Sequence, residues 1–238
     1  MATRIDLGDI AIAVTKKDIK NIHLSVHPPS GLVRISAPLR MNLDTIRVFA
    51  IAKLGWVRQQ QKRLLAQERE TPRDYIDRES HYLWGKRYLL NVTEKDATPN
   101  VEVTHSRIAL RVRPGASEQS RAATLDDWYR RQLKAAVPKL IAKWEPHLGV
   151  HVSRFYVQRM KTRWGSCNTQ AGSIRLNPEL AKKPKECLEY IVVHEMVHLL
   201  EPTHNGRFVD LMNRFMPKSQ YYRDVLNRLP VRHEHWNY

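Results

Sequence analysis

The stretch "IVVHEMVHLLEPTH" at residues 191–204 places His194, Glu195, His198 and His204 close together in an apolar run. His194 and His198 are four positions apart, so on an α-helix they lie on one face, about 6 Å from each other. Two imidazoles so arranged bind a Zn²⁺ ion, and Glu195 reaches a water molecule on that ion without being a ligand. The alternative is that His194 and His198 are ordinary polar residues of an amphipathic helix. We disfavour it, because Glu195 beside them in an apolar run would be costly to bury without a partner. The spacing therefore predicts the HExxH site of a zinc-dependent peptidase with Glu195 as the general base.

The third metal ligand must come from beyond this helix, because a catalytic zinc site takes three protein ligands and keeps one open position. His204 follows Pro202, which ends the helix and lets the chain turn back towards the metal. Glu201 and Asp210 are the rivals, since carboxylates also bind zinc. We prefer His204, because Pro202 and the Asn-Gly pair at 205–206 bracket it as a loop.

The segment "RMKTRWGSC" at 159–167 offers further candidates for the site. Lys161 and Arg163 are candidate cleft residues that could stabilise an oxyanion. The structural alternative, which we favour, is that residues 164–166 form a tight turn leading into the next strand. Cys167 is either a fourth metal ligand, a redox gate or a small buried hydrophobic residue, and the last role is the commonest for a lone cysteine.

Two kinds of periodicity describe the N-terminal part of the chain. Apolar and polar residues alternate at 9–14, 22–27 and 32–36, which predicts three short strands in a meander. From Asn42 the pattern becomes helical for about 25 residues, with Asn42 or Asp44 as the N-cap.

Strand signals return at 81–92, 101–105 and 107–113, and the segment "PGASEQS" that follows is typical of a linker. We therefore predict an N-terminal, mainly β region with a long helix at residues 1–118, and a second domain at 119–238 that carries the histidines.

The second domain is predicted to contain a short sheet and the HExxH helix. Its elements are an amphipathic helix at 122–148, kinked or interrupted at Pro138, then strands at 154–160 and 173–177, then the HExxH helix. The strand at 173–177 could hold an extended peptide substrate at a sheet edge. The predicted fold class is α+β.

The composition limits the partners and the compartment. Forty Lys plus Arg against 24 Asp plus Glu give a formal net charge of +16, which suits either an anionic partner such as nucleic acid or a solvated basic surface. If the partner is nucleic acid, the candidate phosphate contacts are Arg58, Lys62, Arg63, Arg130, Arg131 and Lys134.

The cysteines and the apolar segments indicate the compartment. Two cysteines without a CxxC pair exclude a disulfide framework. No signal peptide and no stretch of about 18 apolar residues is present, so we predict a cytoplasmic protein without a membrane span.

The stretches "RMKTRWGSCNTQAGSIRLNPEL" and "EYIVVHEMVHLLEPTHNGRF" resemble the YgjP-like metallopeptidases, relatives of the SprT and WLM zinc peptidases. The segments "IHLSVHPPSGLVRISAPLRMN" and "KLGWVRQQQKRL" are similar to the N-terminal region of that family, so the resemblance extends over nearly the whole chain. It implies a zincin-type domain with His194, His198 and His204 as zinc ligands, Glu195 as the base, and a protein or peptide substrate.

Two alternatives stay open, because the chain is strongly basic and because SprT-like relatives include proteases that act on proteins attached to DNA. One is a DNA-associated protease, and the other is a nucleic-acid-binding protein with a structural zinc. A structural zinc takes four ligands and needs no glutamate, so three ligands with Glu195 favour the enzyme.

Overall fold

The chain forms two compact units of mixed α and β structure, which confirms the predicted α+β class. The N-terminal unit and the C-terminal unit divide at residue 70. The boundary predicted between residues 118 and 119 lies inside the C-terminal unit, and a domain division at that position stays a prediction. The computed structural model describes residues 3–27, 31–66, 73–160 and 163–229.

The described elements of the N-terminal unit are β1 (Thr3–Leu7), β2 (Ile10–Lys17), β3 (His23–His27), β4 (Leu32–Pro38), α1 (Leu43–Ala52) and α2 (Leu54–Ala66). The strands form one sheet in the order β1-β2-β4-β3, in which β2 and β4 are parallel and β3 and β4 antiparallel. The predicted meander is therefore wrong, because β2 pairs directly with β4 and leaves β3 at the edge. The strand β1 was not predicted.

The single long helix predicted from Asn42 is two helices in the structure. Asn42 caps α1 as predicted, since its Oδ1 accepts a hydrogen bond of 2.8 Å from the Thr45 N–H. Lys53 ends α1, with its N–H bonded to the Ala50 carbonyl over 3.1 Å. The helical periodicity continues across this break, so the sequence pattern gave no sign of it.

The strands of the first sheet of the C-terminal unit are β5 (Ser80–Leu83), β6 (Lys86–Glu94), β7 (Asn100–Val103) and β8 (Arg107–Val112). Their order in the sheet is β5-β6-β8-β7. The stretch predicted as one strand at 81–92 is a hairpin, whose two turn residues Trp84 and Gly85 have φ values of 51° and 78°. Two left-handed residues in succession are typical of a tight hairpin turn.

Two backbone hydrogen bonds connect the turn of this hairpin to the segment that precedes the HExxH helix. The Trp84 N–H donates to the Ala181 carbonyl over 2.8 Å, and the Gly85 N–H donates to the Lys182 carbonyl over 3.3 Å. A Cβ atom at Gly85 would lie 3.0 Å from Cγ of Pro184, so glycine is required by space as well as by its positive φ.

The helix α3 (Glu118–Leu148) crosses the C-terminal unit. Ser117 caps its start, and Gly149 ends it in the left-handed conformation with a φ of 66°. The helix continues through Pro138, so the predicted interruption there is wrong. Its buried stripe packs against the rest of the core, and consists of Leu125, Trp128, Tyr129, Leu133, Val137, Ile141 and Leu148.

The remaining described elements are β9 (Arg154–Val157), β10 (Gly165–Asn168), β11 (Ser173–Leu176), a 3₁₀ helix (Pro178–Lys182), α4 (Lys185–Val197), α5 (Gly206–Phe215) and α6 (Ser219–Arg228). The three strands form a small sheet in the order β10-β11-β9. The strand β11 lies in the centre, so the expectation that it offers a free edge is wrong, and β10 is an edge strand instead. Residues 165 and 166 belong to β10, so the tight turn predicted at 164–166 is also wrong.

Among the described residues, no helix has both the length and the apolar character that crossing a bilayer requires.

Candidate metal centre

The helix α4 holds His194 and Glu195 inside the core of the C-terminal unit. Its other side chains around this position, among them Val192, Val193 and Met196, are fully buried. A helix that is apolar on nearly every side is a buried helix, so its position is set by packing and not by solvent. Side chains that project from such an element are held in place by rigid surroundings.

After α4 the chain turns back and brings a further histidine to the same place. Leu200 and Glu201 both donate their N–H groups to the Val197 carbonyl over 2.9 Å, which closes a tight turn at the helix end. Asn205 then starts α5 by accepting a hydrogen bond of 3.1 Å from the Phe208 N–H. His204 lies directly before this cap, and its position is therefore fixed by two helix ends.

The three histidines converge on one point. The Nε2 atoms of His194 and His204 are 3.0 Å apart, and one nitrogen from each of His194, His198 and His204 lies within 4.8 Å of the others. Nitrogen ligands on a tetrahedral zinc at 2.0 to 2.1 Å are roughly 3.4 Å apart, so the group fits a single ion of this size. The ring of Phe208 packs against all three imidazoles with centroid distances of 4.9, 4.6 and 4.7 Å.

The surroundings of His194 and His204 favour the neutral imidazole, which is the form that binds metals. Burial, followed by the charges of the neighbouring histidines and Arg223, lowers the pKa of His194 to about 3. Burial and the charges of His198 and Arg223 also lower the pKa of His204. His198 donates its Nδ1–H to the Glu201 carbonyl over 3.1 Å, which leaves its Nε2 lone pair available. Neutral imidazoles with a free nitrogen are what a metal ion requires.

The rival ligands Glu201 and Asp210 are not part of the three-histidine group. The Oε1 atom of Glu201 accepts hydrogen bonds from the N–H and the Oγ1 hydroxyl of Thr203, at 3.3 and 3.0 Å. These hydrogen bonds lower the pKa of Glu201, which stabilises the turn before His204. Asp210 is exposed on α5.

Glu195 is a buried carboxyl group beside the centre, with only 4% of its surface exposed. Burial raises its pKa to about 8, and the positive charge of Arg163 opposes this shift. A carboxyl with a raised pKa in a site of this kind is suited to taking up and releasing a proton near neutral pH. The strand β10 runs beside it, and Gly165 leaves the space that its side chain occupies.

Cys167 is half-buried and packs against the core from β10. Burial, followed by the negative charge of Glu195, raises the pKa of this thiol to about 11. Because the thiolate is the form that binds metals, the shift disfavours a ligand role, and Cys167 is outside the three-histidine group.

The sequence indicated some of the residues around the site and missed others. Arg163 is exposed and acts electrostatically on Glu195, whereas Lys161 lies outside the described residues. Arg223 on α6 acts on His194 and His204, yet no motif in the sequence pointed to it. Gly165 carried a weak signal, since a glycine inside a strand often marks a close approach.

The sequence profile described as "YgjP-like, metallopeptidase domain" matches residues 20–229. The chain belongs to the YgjP-like metallopeptidase family. Membership makes it a peptidase of the hydrolase class that works with a metal cofactor and on peptide substrates.

No curated protein matches the sequence. Two solved structures are similar to part of this YgjP-like chain. The metallopeptidase zymogen abylysin of Pyrococcus abyssi is 22% identical over 38% of this chain and 90% of that chain, with a TM-score of 0.36. The metallopeptidase zymogen jannalysin of Methanocaldococcus jannaschii is 18% identical over 38% of this chain and 92% of that chain, with a TM-score of 0.34.

Proposed function

We propose that this chain is a zinc-dependent peptidase with His194, His198 and His204 as the metal ligands and Glu195 as the general base. The observation that carries the proposal is the convergence of three imidazole nitrogens within 4.8 Å, beside a buried glutamate. A three-nitrogen site leaves the fourth position of a tetrahedral zinc for water or substrate, whereas a structural zinc takes four protein ligands.

Zinc, when bound, would lower the pKa of a water molecule and polarise the carbonyl group of the scissile peptide bond. The protein supplies the proton transfers. Glu195 accepts a proton from the attacking water and then donates it to the nitrogen of the leaving amine. Burial raises the pKa of Glu195, whereas a nearby cation lowers it and so favours the carboxylate that the first step needs.

The edge strand β10 is the proposed binding site for the peptide substrate. Its outer side is not paired within the described sheet, and its first residue, Gly165, lies against Glu195. An extended peptide that adds to this edge by backbone hydrogen bonds would pass directly beside the base. Register along β10 then determines which peptide bond is cleaved.

Arg163 and Arg223 complete the proposed site as sources of positive charge. Arg163 acts on Glu195, and Arg223 acts on His194 and His204, so the two side chains approach from different elements. Positive charge near a developing oxyanion stabilises the transition state of peptide hydrolysis. Lys161 is a sequence candidate for the same role, and it stays a prediction because it lies outside the described residues.

The decisive experiment separates metal binding from chemistry. Glu195→Gln keeps the size of the side chain but cannot accept a proton, so the variant should retain its zinc while peptide hydrolysis falls by about 10²-fold or more. Zinc is measured by elemental analysis and hydrolysis with a quenched fluorescent peptide library. The matched control is Glu186→Gln, an exposed glutamate in the first turn of the same helix, which should behave like the unmodified protein. Full activity in Glu195→Gln would remove Glu195 as the base.

A further inference from the structure

Gly165 lies against the side chain of the proposed base. A Cβ atom built at Gly165 would lie 2.4 Å from Oε1 of Glu195, 2.8 Å from its Cγ and 2.9 Å from its Cδ. Such distances are shorter than a real Cβ contact allows. The backbone of Gly165 is not left-handed, so the local conformation admits any residue, and the demand for glycine comes from the space that Glu195 occupies.

Neither backbone can easily move to relieve this contact. The start of β10 is held by Asn177, which is 5% exposed. The Nδ2 group of Asn177 donates to the carbonyls of Met160 and Arg163 over 2.7 and 2.9 Å, and its N–H donates to the Trp164 carbonyl over 2.9 Å. On the other side, α4 is fixed by its buried neighbours. The part that can yield is the flexible end of the Glu195 side chain.

We propose that Gly165 is a positioning residue, whose missing side chain leaves the space that holds the Glu195 carboxylate in its working position. The inference rests on the proposed function, in which Glu195 is the base. The three atoms nearest to the absent Cβ all belong to Glu195 and none to a histidine. A methyl group at position 165 therefore displaces the base and spares the metal ligands.

The test is a double-mutant cycle with Gly165→Ala, Glu195→Asp and the combined variant, measured for zinc content, kcat, KM and thermal midpoint. Gly165→Ala should keep one zinc per chain and lose about 10²-fold in kcat with little change in KM, because a misplacement of about 1 Å at a reacting group costs that much. Aspartate is one methylene shorter, so in the Glu195→Asp background the same methyl group should cost less than about 10-fold in kcat. Gly165→Ala should also lower the thermal midpoint more with Glu195 present than with Asp.

The matched control is Gly55→Ala on α2, where nothing lies within 4 Å of the added methyl group, and it should leave kcat and zinc content unchanged. If Gly165→Ala alone does not fold, its combination with Glu195→Ala must fold and bind zinc, since that change removes the clashing atoms. Failure of this double variant overturns the proposal.

The remaining outcomes distinguish the two levels of inference. An equal loss of kcat for Gly165→Ala in both backgrounds, with Glu195→Gln inactive, overturns the positioning role and leaves the proposed function standing. Full activity of Glu195→Gln overturns the proposed function and the positioning role with it.

Discussion

The two compact units differ in what they bury. In the described part of the N-terminal unit the buried residues are apolar, and they come mainly from the alternating positions of β2 and β4, such as Ile12, Val14, Val33 and Ile35. The C-terminal unit has a larger apolar core and buries polar side chains as well. These are His81, Asn177, Lys182, Lys183, Glu195, His198 and Ser219.

This difference separates stability from function. An aliphatic core is stabilised by removal of apolar surface from water, at about 25 cal/mol per Å². A buried polar group costs free energy unless a hydrogen bond, an opposite charge or a metal compensates it. Two of the buried polar groups of the C-terminal unit, Glu195 and His198, belong to the candidate metal centre. A buried ionisable group of this kind indicates a function, which the apolar core residues do not.

The largest effect is expected in the C-terminal unit, where removal of a histidine ligand should cause loss of the metal. His204→Ala removes one of three nitrogens, so we expect a fall in zinc affinity beyond the ~10 to 100-fold that changes around a metal ligand cost. Glu201→Ala and Asp210→Ala, the rivals of His204, should lose far less. Competition with a chromophoric chelator measures all three affinities. A larger loss of zinc affinity in Glu201→Ala or Asp210→Ala than in His204→Ala would identify a carboxylate as the third ligand.

The next effect concerns the aliphatic core. Ile12 is fully buried in the N-terminal unit, so Ile12→Ala should lower the free energy of unfolding by about 2 to 5 kcal/mol while zinc content stays unchanged. Val48→Ala, at a position with 67% exposure on α1, is the control and should change it by less than about 0.5 kcal/mol. Denaturant titration gives both values. Loss of zinc in Ile12→Ala would show that the two units are not independent in this respect.

A smaller effect follows from His81, a buried histidine far from α4 in sequence. Burial, then the charges of Arg73 and Lys182, lowers its pKa to about 3. An unfolded histidine titrates near pH ~6.5, so the unfolded chain binds the extra proton between these values. The free energy of unfolding should therefore fall as the pH drops from about 6.5 towards 3, with a limiting slope of about 1.4 kcal/mol per pH unit from this group.

His81→Phe cannot take up this proton, so its stability should depend less on pH, by up to one proton, in denaturant titrations between pH 5 and 7. The control is His105→Phe on an exposed turn. Identical slopes for wild type and His81→Phe would contradict the assignment.

The smallest expected effect tests the basic surface. If nucleic acid binds there, affinity should not depend on sequence, and the slope of log K against log salt should change by about 0.9 per phosphate contact on duplex DNA. Arg58 is paired with Asp9 and Arg131 with Asp127, whereas Arg130 and Lys134 are exposed on α3. Replacing Arg130 and Lys134 by Gln should therefore reduce the slope by about 1.8.

Anisotropy titrations at low salt measure this slope, with Glu195→Gln as a control that leaves the basic surface intact. Absence of binding at micromolar protein would remove nucleic acid from the partners.

The sequence predicted best where periodicity and chemistry agree. The positions of β2, β3, β4, β7, β8 and β11 follow from alternation, and the convergence of His194, His198 and His204 follows from helical spacing and Pro202. Strand order was missed, because a parallel β2–β4 pair depends on contacts distant in sequence. The role of β10 and of Gly165 was missed for the same reason, since the space beside Glu195 is created only by tertiary packing.

The Trp84–Gly85 turn has a consequence for cooperativity. Its two N–H groups bind the carbonyls of Ala181 and Lys182, just before α4 begins, and so link segments that are widely separated along the chain. Opening of the hairpin would release the start of the helix that carries His194. A fragment that begins at residue 119 would lack this support. The peptidase centre and a hairpin outside the predicted catalytic domain are thus expected to unfold as one cooperative unit.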